Sequence, residues 1–421
     1  MLAAVDFRET SRNMSECAMP LNRPIFFFIA GIFFSGLGGA FLFPLTTLYL
    51  VEALGATPFR LSLYLVCSVL SAIVVSQWLA RYSDQGMSRK RLITIAALCY
   101  VATALIFAFN REYWVALAVV VSVTSVSSVA FPQVFALGRE YADQHLAGKG
   151  TLFLNTMRAT IALAWVCGPP LAFLSQSTYG FTMTFLVTAV CGTVSMLIFL
   201  NLPDMKDECA AEGAHADTES IEASVPWYRQ SKVMVFMAAV VLMFFASNLY
   251  ILSMPLYLTK ELGRDSGLAG QMMGLAALIE IPIMLGVGIV VARLGAHRLL
   301  NIGVMFGCLF YIGMTQVTSE GALLALQVFN GLFIGTTATL GMVVMQDMMR
   351  DQVGTATTLF SNGLQISMLL ASVTIGVLAG YFSYYSAFWV SLSAAGCALL
   401  LRLMQDQLYT MRRKVTVSVQ P

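Results

Sequence analysis

A carboxylate interrupts a long apolar stretch in the second half of the chain. Residues 266–292 are almost entirely apolar, with Gln271 and Glu280 as exceptions, and Pro282 lies two positions after the glutamate. A stretch of this length is typical of a membrane-spanning helix, where an acid is costly unless it has a partner or takes up a proton. Because desolvation favours the neutral acid, Glu280 is the candidate for a group that carries a proton. The alternative is that it only binds hydroxyl groups of a solute.

A basic side chain, Arg158, lies inside another apolar segment and follows Asn155 by three residues. This spacing places the two side chains on one face of a helix. In the second half of the chain, Gln365 follows Asn362 at the same spacing. The pattern predicts four polar groups at equivalent positions facing a pore.

Arg158 has alternative roles that the sequence leaves open. It can contact a solute, or it can pair across the pore with Glu280 when that acid is deprotonated. Alternatively, it reaches the membrane interface or closes the inner end of the pore through Glu140. Only the first two roles make it part of a central site.

Neutral polar side chains also lie within apolar segments. Asn248 and Tyr250 occur in one of them, and Gln327 and Asn330 occur three residues apart in another. A pore for a polyhydroxylated solute needs neutral donors and acceptors, and an aromatic ring such as that of Trp165 or Tyr250 covers the apolar face of the solute. Amides also join helices to each other, and this structural role is the alternative for each of them.

The composition indicates which elements must hold these groups. The chain has 421 residues, of which 58% are hydrophobic and 11% charged, and its mean hydropathy is +0.78. These values are typical of an integral membrane protein and exclude a soluble globular domain. The net charge of +2 is spread over short clusters, so we expect no nucleic acid partner.

The sequence contains no constellation typical of an enzyme or a metalloprotein. Its three histidines, His145, His215 and His297, fall in predicted loops, and no nucleophile with a nearby base is apparent. The eight cysteines show neither metal-ligand nor disulfide spacing, so we interpret them as free thiols. We therefore expect a protein that is not an enzyme and that needs no cofactor or metal.

Twelve apolar segments are long enough to cross a hydrocarbon core of ~30 Å at ~1.5 Å per residue. In lipid, helices satisfy the backbone groups of such segments. The predicted fold class is therefore an all-α membrane protein in contact with a lipid bilayer. The segments are 24–51, 59–80, 92–109, 113–137, 156–175, 181–202, 233–254, 267–292, 299–316, 321–345, 357–380 and 386–404.

The distribution of basic residues predicts the orientation of these segments. If both termini are cytoplasmic, the inner loops and tails hold 19 Lys and Arg residues, whereas the outer loops hold four. An excess of basic residues marks the cytoplasmic side. The first 23 residues lack the apolar core of a cleavable signal peptide. We therefore predict that both termini are cytoplasmic.

An acidic stretch divides the chain into two halves. Residues 201–232 contain seven Asp and Glu residues with Ala and Ser between them, which is typical of a solvated linker. The predicted organisation is an amino tail at 1–23, a six-helix bundle at 24–202, a linker at 203–232, a second six-helix bundle at 233–404 and a carboxyl tail at 405–421.

The two halves repeat each other. The pattern at 48–55, Leu-Tyr-Leu followed by Leu-Gly, recurs at 256–263, an offset of 208 positions. The pattern at 151–155, Thr-Leu-Phe followed by Asn, recurs at 358–362, an offset of 207. A duplicated six-helix unit is typical of secondary transporters, whose halves rock around a central site.

The loop after the second segment resembles a signature of the major facilitator superfamily. Residues 80–91 contain Asp84 and the basic residues Arg89 and Arg91, although Ala80 replaces the first glycine of the signature. The resemblance implies that the aspartate faces the start of helix eleven and helps to close the cytoplasmic side, where a helix dipole favours it. Alternatively, these charges only set the topology.

A Gly-Pro pair in the fifth segment, Gly168 and Pro169, resembles a motif of exporters in the same superfamily. Proline inside a helix removes one backbone hydrogen bond and bends the helix. We predict that this bend is a gating element that limits leak, and the alternative is an ordinary kink. The trailing glycines of the motif are absent from residues 170–172, so export is favoured over antiport.

Three longer strings, at 131–143, 157–173 and 280–285, resemble the bacterial sugar efflux transporter family within this superfamily. The resemblance implies a twelve-helix, two-bundle exporter of small sugars or glycosides in the inner membrane, coupled to proton entry. Segment 113–137 lacks the arginine that drug-exporting relatives place there.

Alternative functions remain open at this point. They are a multidrug exporter of the same fold, a facilitator that moves sugar downhill, and a membrane receptor that transports nothing. We expect a monomer whose partners are the sugar or glycoside, protons and the bilayer.

Overall fold

A computed structural model of the chain describes residues 22–84, 88–146, 149–202 and 227–418. Within these residues the regular structure is entirely helical, because a helix satisfies its own backbone groups where lipid offers none. The described residues contain 11 helical stretches that are long and apolar enough to span a membrane. The predicted all-α membrane fold is confirmed.

Most of the spanning helices form one α-helical element each, and two of them, α1 and α7, continue into a π turn. The single elements are α1 (Arg23–Leu48), α2 (Pro58–Asp84), α3 (Arg89–Phe109), α7 (Ser231–Leu256), α8 (Gly267–Leu294), α9 (Ala296–Met314), α10 (Glu320–Met348), α11 (Val353–Tyr381) and α12 (Ser386–Ser418).

The fourth helix, α4, is interrupted in its middle. It runs from Tyr113–Val119 through the π turn Val120–Thr124 to Ser125–Ser127 and Ala130–His145. Serine and threonine hydroxyls in this part donate to carbonyls three to five residues earlier. Such bonds compete with the helical ladder and bend the helix.

The stretch Gly150–Leu200 comprises two helices, α5 (150–179) and α6 (181–200). Gly180 between them has a φ of 77° and is not helical, a conformation that glycine adopts without steric cost. The Thr184 hydroxyl donates to Ser175 Oγ at 3.0 Å, so α6 folds back beside the end of α5. With these two helices counted separately, the described residues contain twelve spanning helices, the number that the sequence predicts.

The ends of the predicted domains are only partly described. The amino tail, 1–23, and the acidic linker, 203–232, lie outside the described residues apart from 22–23 and 227–232. At the other terminus, α12 continues to Ser418 and so extends into the predicted carboxyl tail, 405–421. A boundary drawn at residue 404 marks the end of the apolar stretch, and a helix can continue beyond it.

The repeat of the two halves recurs in the geometry of the chain. The π turns Tyr49–Ala53 and Tyr257–Glu261 follow α1 and α7. Each is followed by a glycine with positive φ, 59° at Gly55 and 61° at Gly263. The amide N–H one residue after each glycine donates to an equivalent carbonyl at 2.8 Å. The same sequence pattern therefore builds the same turn twice.

We call the outer end of the bundle the end that holds loops 54–57, 110–112 and 262–266, after the orientation predicted from the basic residues. At this end the two halves pack through α5 with α8 and through α2 with α11. Glycines allow the close approach: Gly270 and Gly274 of α8 lie against α5, and Gly376 of α11 lies against α2. These contacts close the bundle at its outer end.

Candidate functional site

Glu280 lies on α8, and the contacts of this helix show which way the carboxylate points. One face, with Ile283, packs against glycines of α10, and a second, with Gly274, packs against α5. A third face carries Leu278, which is 57% exposed, and Pro282, and this side meets lipid. At ~100° per residue, Glu280 lies opposite the third face. The half-buried carboxylate therefore points into the space between the two halves.

Arg158 and Trp165 lie on the side of α5 that faces the space between the halves, as Glu280 does on α8. Ala164 packs against α1, and Pro170 packs against α8. The lipid-facing side of α5 carries Leu174, which is 58% exposed. Two turns separate Arg158 from Trp165, and both lie on the side opposite Leu174. The arginine is exposed, and the indole ring packs edge-on against the ring of Phe43 in α1.

The three side chains lie at similar depth in the bundle. Gly274 contacts the part of α5 between residues 166 and 170. Glu280 is six positions, or about 9 Å, further inward along α8. The same distance along the antiparallel α5 reaches residues 160–164, which lie between Trp165 and Arg158. The structure thus brings together an acid, a base and an indole ring on the inner surfaces of two facing helices.

Glu280 and Arg158 are not joined in this conformation. Among the described side chains, neither the carboxylate nor the guanidinium takes part in an ion pair. The helices that carry them meet at the outer end, where glycines allow a close approach. Pairing of Glu280 with Arg158 therefore stays a prediction for a conformation in which the inner end closes.

The amides predicted on the eleventh helix lie beside the same space. Asn362 and Gln365 are exposed, and both lie near the face of α11 that packs against α2 further out, at Gly376. They therefore line the cleft between α11 and α2 inward of that contact. Asn155 belongs to α5 three positions before Arg158, but its side chain lies outside what the structure describes.

Three of the other predicted binding residues bond to one another inside the second half. The Asn330 amide donates to Gln327 Oε1 at 2.9 Å, and the Tyr250 hydroxyl lies 3.4 Å from the same oxygen. All three side chains are at most 3% exposed. Since they are buried in the core between α7 and α10, their surfaces are closed to a solute in this conformation, which favours the structural alternative for them.

Asn248 also has a partner within the second half. Its amide nitrogen donates to Ser367 Oγ at 3.0 Å, and Ser367 is fully buried in α11. This bond joins α7 to α11 and again favours the structural alternative.

The basic gating candidate Arg89 holds α3 to α4. Its Nε lies 2.5 Å from Glu140 Oε1, and its Nη1 lies 3.3 Å from Gln133 Oε1. Glu140 is therefore occupied by Arg89, which disfavours the alternative in which it pairs with Arg158. Arg91 is exposed.

Asp84, the acidic gating candidate, ends α2. Its side chain and residues 85–87 lie outside the described part of the chain, so its predicted contact with helix eleven stays a prediction.

The Gly-Pro pair lies where three helices meet. Gly168 faces Ala40 of α1 with no room for a side chain, and the carbonyl of Pro169 lies against Gly270 of α8. Both Gly168 and Pro169 are buried. The pair therefore shapes the outer contact between the halves, and its gating role stays a prediction.

Sequence reasoning missed the polar contacts that join the halves at the outer end. Lys260 Nζ lies 3.3 Å from Glu52 Oε1, and Ser266 Oγ lies 2.5 Å from Gln176 Oε1. The offset of 208 positions places Lys260 opposite Glu52, and this was a signal that the sequence contained.

Comparisons with known proteins agree with this architecture. The sequence model of the Major Facilitator Superfamily matches residues 27–319 and 236–414. The nucleoside transporter NupG has a similar crystal structure, with a TM-score of 0.75 at 14% identity over 92% of this chain and 99% of that one. A bacterial homologue of the iron transporter ferroportin in an inward-facing state gives a TM-score of 0.72 at 13% identity, over 92% and 99% of the two chains.

Curated relatives match over most of their length. Sugar efflux transporter A of Escherichia coli (strain K12) is 39% identical over 376 residues, which are 89% of this chain and 94% of the relative. Sugar efflux transporter C of the same organism is 33% identical over 378 residues, again 89% and 94%. The chain is therefore a multi-pass membrane transporter and not an enzyme, and it belongs to the bacterial sugar efflux transporter family of the Major Facilitator Superfamily.

Proposed function

We propose that the protein exports small sugars or glycosides across the bacterial inner membrane by alternating access, in exchange for protons. The observation that carries this proposal is the match to sugar efflux transporters over 94% of their length, at up to 39% identity. Both six-helix halves take part in that match. We also propose that the protein acts as a monomer. Its termini are assigned to the cytoplasm on the distribution of basic residues.

The packing of the halves supports the alternating-access part of the proposal. The halves meet at the outer end through α5 with α8 and α2 with α11. Further inward, Glu280 and Arg158 form no ion pair with any residue that the structure describes. This arrangement suits a conformation that takes up solute from the cytoplasmic side. Rocking of the two halves around the centre then closes the inner end and opens the outer end.

Solute binding is assigned to the side chains on the inner surfaces of the helices. Arg158, Asn155, Gln365 and Asn362 offer hydrogen bonds to hydroxyl groups, and the Trp165 ring covers the apolar side of a sugar ring. The buried amides support these helices, since their own hydrogen bonds are made within the second half. They are Asn248, Gln327 and Asn330, with Tyr250 beside them.

Proton coupling is assigned to Glu280. The half-buried carboxylate faces the space between the halves without an ion-pair partner among the described residues, and a carboxyl group in this position can take up and release a proton. Protonation from outside and release inside bias the two openings of the bundle in opposite directions. One charge crossing ~100 mV is worth about 2.3 kcal/mol, which at ~1.4 kcal/mol per tenfold supports a gradient of roughly fortyfold for a neutral solute.

Gating is assigned to both ends of the bundle. Asp84, Arg89 and Arg91 close the cytoplasmic end, with Asp84 against the start of helix eleven, where the helix dipole favours an acid. Gly168 and Pro169 hold α5 against its neighbours at the outer end. This division follows from the close packing of the Gly-Pro pair against α1 and α8.

Transport into inverted membrane vesicles tests the proposal. The vesicle lumen is made acidic relative to the medium, and radiolabelled monosaccharides, disaccharides, glycosides and an apolar cationic drug are offered one at a time. We expect at least one saccharide to accumulate above the external concentration, and a protonophore to abolish the accumulation. Vesicles with the Glu280→Gln variant serve as the coupling control.

The other candidate functions give different results in the same vesicles. Accumulation of the drug without any saccharide would identify a multidrug exporter. A saccharide that equilibrates across the membrane to the same extent with and without the pH gradient would identify a downhill facilitator. If nothing crosses the membrane faster than in vesicles without the protein, the transport proposal is wrong.

A further inference from the structure

Two residues of opposite charge occupy equivalent positions in the two halves. Glu52 lies in the π turn Tyr49–Ala53, and Lys260 lies in the π turn Tyr257–Glu261. They are 208 positions apart, which is the offset of the repeat. The glycines that end these turns have the same backbone conformation, so the two turns present their charged side chains in the same way.

The two side chains meet across the boundary between the halves. Lys260 Nζ lies 3.3 Å from Glu52 Oε1. Equivalent residues of a duplicated unit are related by a pseudo-twofold axis, and two such residues can touch only where both lie beside that axis. The ion pair therefore marks the outer end of the axis, midway between the two bundles.

Other hydrogen bonds join the halves at the same end. The Ser62 hydroxyl of α2 donates to the carbonyl of Ser372 in α11 at 2.9 Å, and the Ser266 hydroxyl donates to Gln176. These bonds flank the boundary on either side of the ion pair. A solute that leaves between the halves along the axis must therefore pass between Glu52 and Lys260.

We propose that Glu52 and Lys260 form an outer latch. The ion pair holds the outer end closed while solute enters from the other side, separates to let the solute pass, and forms again to reset the transporter. This inference rests on the proposed alternating access, but it assigns a site and residues that sugar export by itself does not require.

The environment of the pair suits a contact that opens in every cycle. The Lys260 side chain is 42% exposed and that of Glu52 is 26% exposed. Water and salt weaken an ion pair at this exposure, so the halves can separate without leaving a charge in a dry interior. Glu261, the neighbouring acid, does not compete for the lysine, because its carboxylate accepts the backbone N–H groups of Tyr384 and Tyr385.

Labelling of a buried reporter cysteine tests the latch. Ser372 has no exposed surface at the outer contact of α11 with α2, so S372C reacts with a membrane-impermeant maleimide only when the outer end opens. Right-side-out vesicles without the reporter give the background from the native cysteines. We expect E52K to raise the reaction rate of S372C about tenfold, because it places two ammonium groups opposite each other.

Charge exchange distinguishes the latch from a simple loss of packing. K260E is expected to raise the rate about tenfold as well, and K260Q about threefold, because it removes attraction without adding repulsion. The double variant E52K/K260E restores the pair with reversed polarity, and the rate is expected to return to within about twofold of S372C alone.

A matched control breaks a different ion pair at the same end. Arg264 Nη1 lies 3.1 Å from Glu320 Oε1, and both residues belong to the second half. E320K is therefore expected to leave the labelling of S372C unchanged. Unchanged labelling in E52K and K260E, or a double variant that labels as fast as the single ones, would overturn the latch.

The labelling experiment needs no substrate. A failure of the latch therefore leaves sugar export untouched, and a failure of sugar export in the vesicle assay leaves the labelling result valid. If E52K does not reach the membrane, K260E and K260Q give the same comparison from the other side of the pair.

Discussion

Gly274 of α8 faces Pro170 of α5 so closely that a Cβ atom on the glycine would overlap the proline ring. The two helices belong to different halves of the protein, so this contact is part of the boundary that opens and closes in a rocking transporter. The proline directly follows the exporter-like Gly168-Pro169 pair of α5, and the glycine lies six positions before Glu280. One pair of residues thus connects the gating motif with the candidate coupling site.

Gly274→Ala is expected to loosen the outer contact. Overpacking at a close contact costs about 1–3 kcal/mol, and here the cost falls only on the conformation in which α5 and α8 touch. We expect a lower melting temperature in detergent and faster maleimide labelling of S372C from outside. Gly286→Ala is the matched control, because a Cβ atom there meets nothing within 4 Å. Equal melting temperatures for the two variants would contradict the prediction.

Glu280→Gln is expected to abolish sugar accumulation driven by a pH gradient. The amide keeps the size and hydrogen-bonding capacity of the acid but binds no proton, so the gradient has nothing to act on. Exchange of labelled for unlabelled sugar across the membrane, which needs no net proton movement, is expected to persist within about threefold. The measurement is the ratio of driven accumulation to exchange in the same vesicles.

Glu112→Gln is the control for that experiment, because Glu112 is exposed in the loop between α3 and α4. It is expected to leave both rates unchanged. If driven accumulation survives in Glu280→Gln, the proton carrier is another group.

Arg158→Gln is expected to reduce sugar transport at least tenfold without lowering the amount of protein in the membrane. The guanidinium of Arg158 donates hydrogen bonds from three nitrogens, whereas a glutamine amide donates from one. The variant therefore has the same side chain as Gln365, the equivalent residue of the second half. Arg158→Lys keeps the charge and tests whether charge or hydrogen-bond geometry matters. A similar loss in both variants points to geometry. Unchanged transport in both would remove Arg158 from the site.

Gln327→Leu separates the structural role of the buried amides from a binding role. Removing the Gln327 oxygen leaves the Asn330 amide without its described partner, which costs about 1–3 kcal/mol in a buried setting. We therefore expect a lower melting temperature and an unchanged KM for the sugar. Gln271→Leu, at an exposed position of α8, is the control for stability. An altered KM at unchanged stability would return Gln327 to the binding site.

The sequence predicted the fold because lipid leaves the chain few choices. Twelve apolar segments must become helices, and the repeat offset of 208 positions shows which residues of the two halves are equivalent. The break at Gly180 and the start of α8 at Gly267 agree with the predicted segments. The last helix, α12, continues to Ser418, beyond the predicted segment 386–404. Hydropathy marks where the apolar stretch ends, and a helix can continue beyond that point.

The sequence was less informative about the direction of each polar side chain. Their spacing placed Gln327 and Asn330 on one face of a helix. It did not show whether that face points toward the protein core or toward the pore. The structure turns that face toward Tyr250, and it turns Glu280, Arg158 and Trp165 toward the space between the halves. Helical periodicity defines the relative directions of side chains on one helix, whereas the absolute direction depends on the neighbours.

The sequence by itself determined that this is a twelve-helix membrane protein with an internal repeat, an acid in its eighth span and a basic residue in its fifth. Only the tertiary structure decided that Glu52 meets Lys260, that glycines of α8 lie against the prolines of α5, and that Glu280 and Arg158 share a depth without touching. The reason is physical: burial and backbone satisfaction act locally along the chain, but contacts between the halves depend on how two bundles are placed relative to each other.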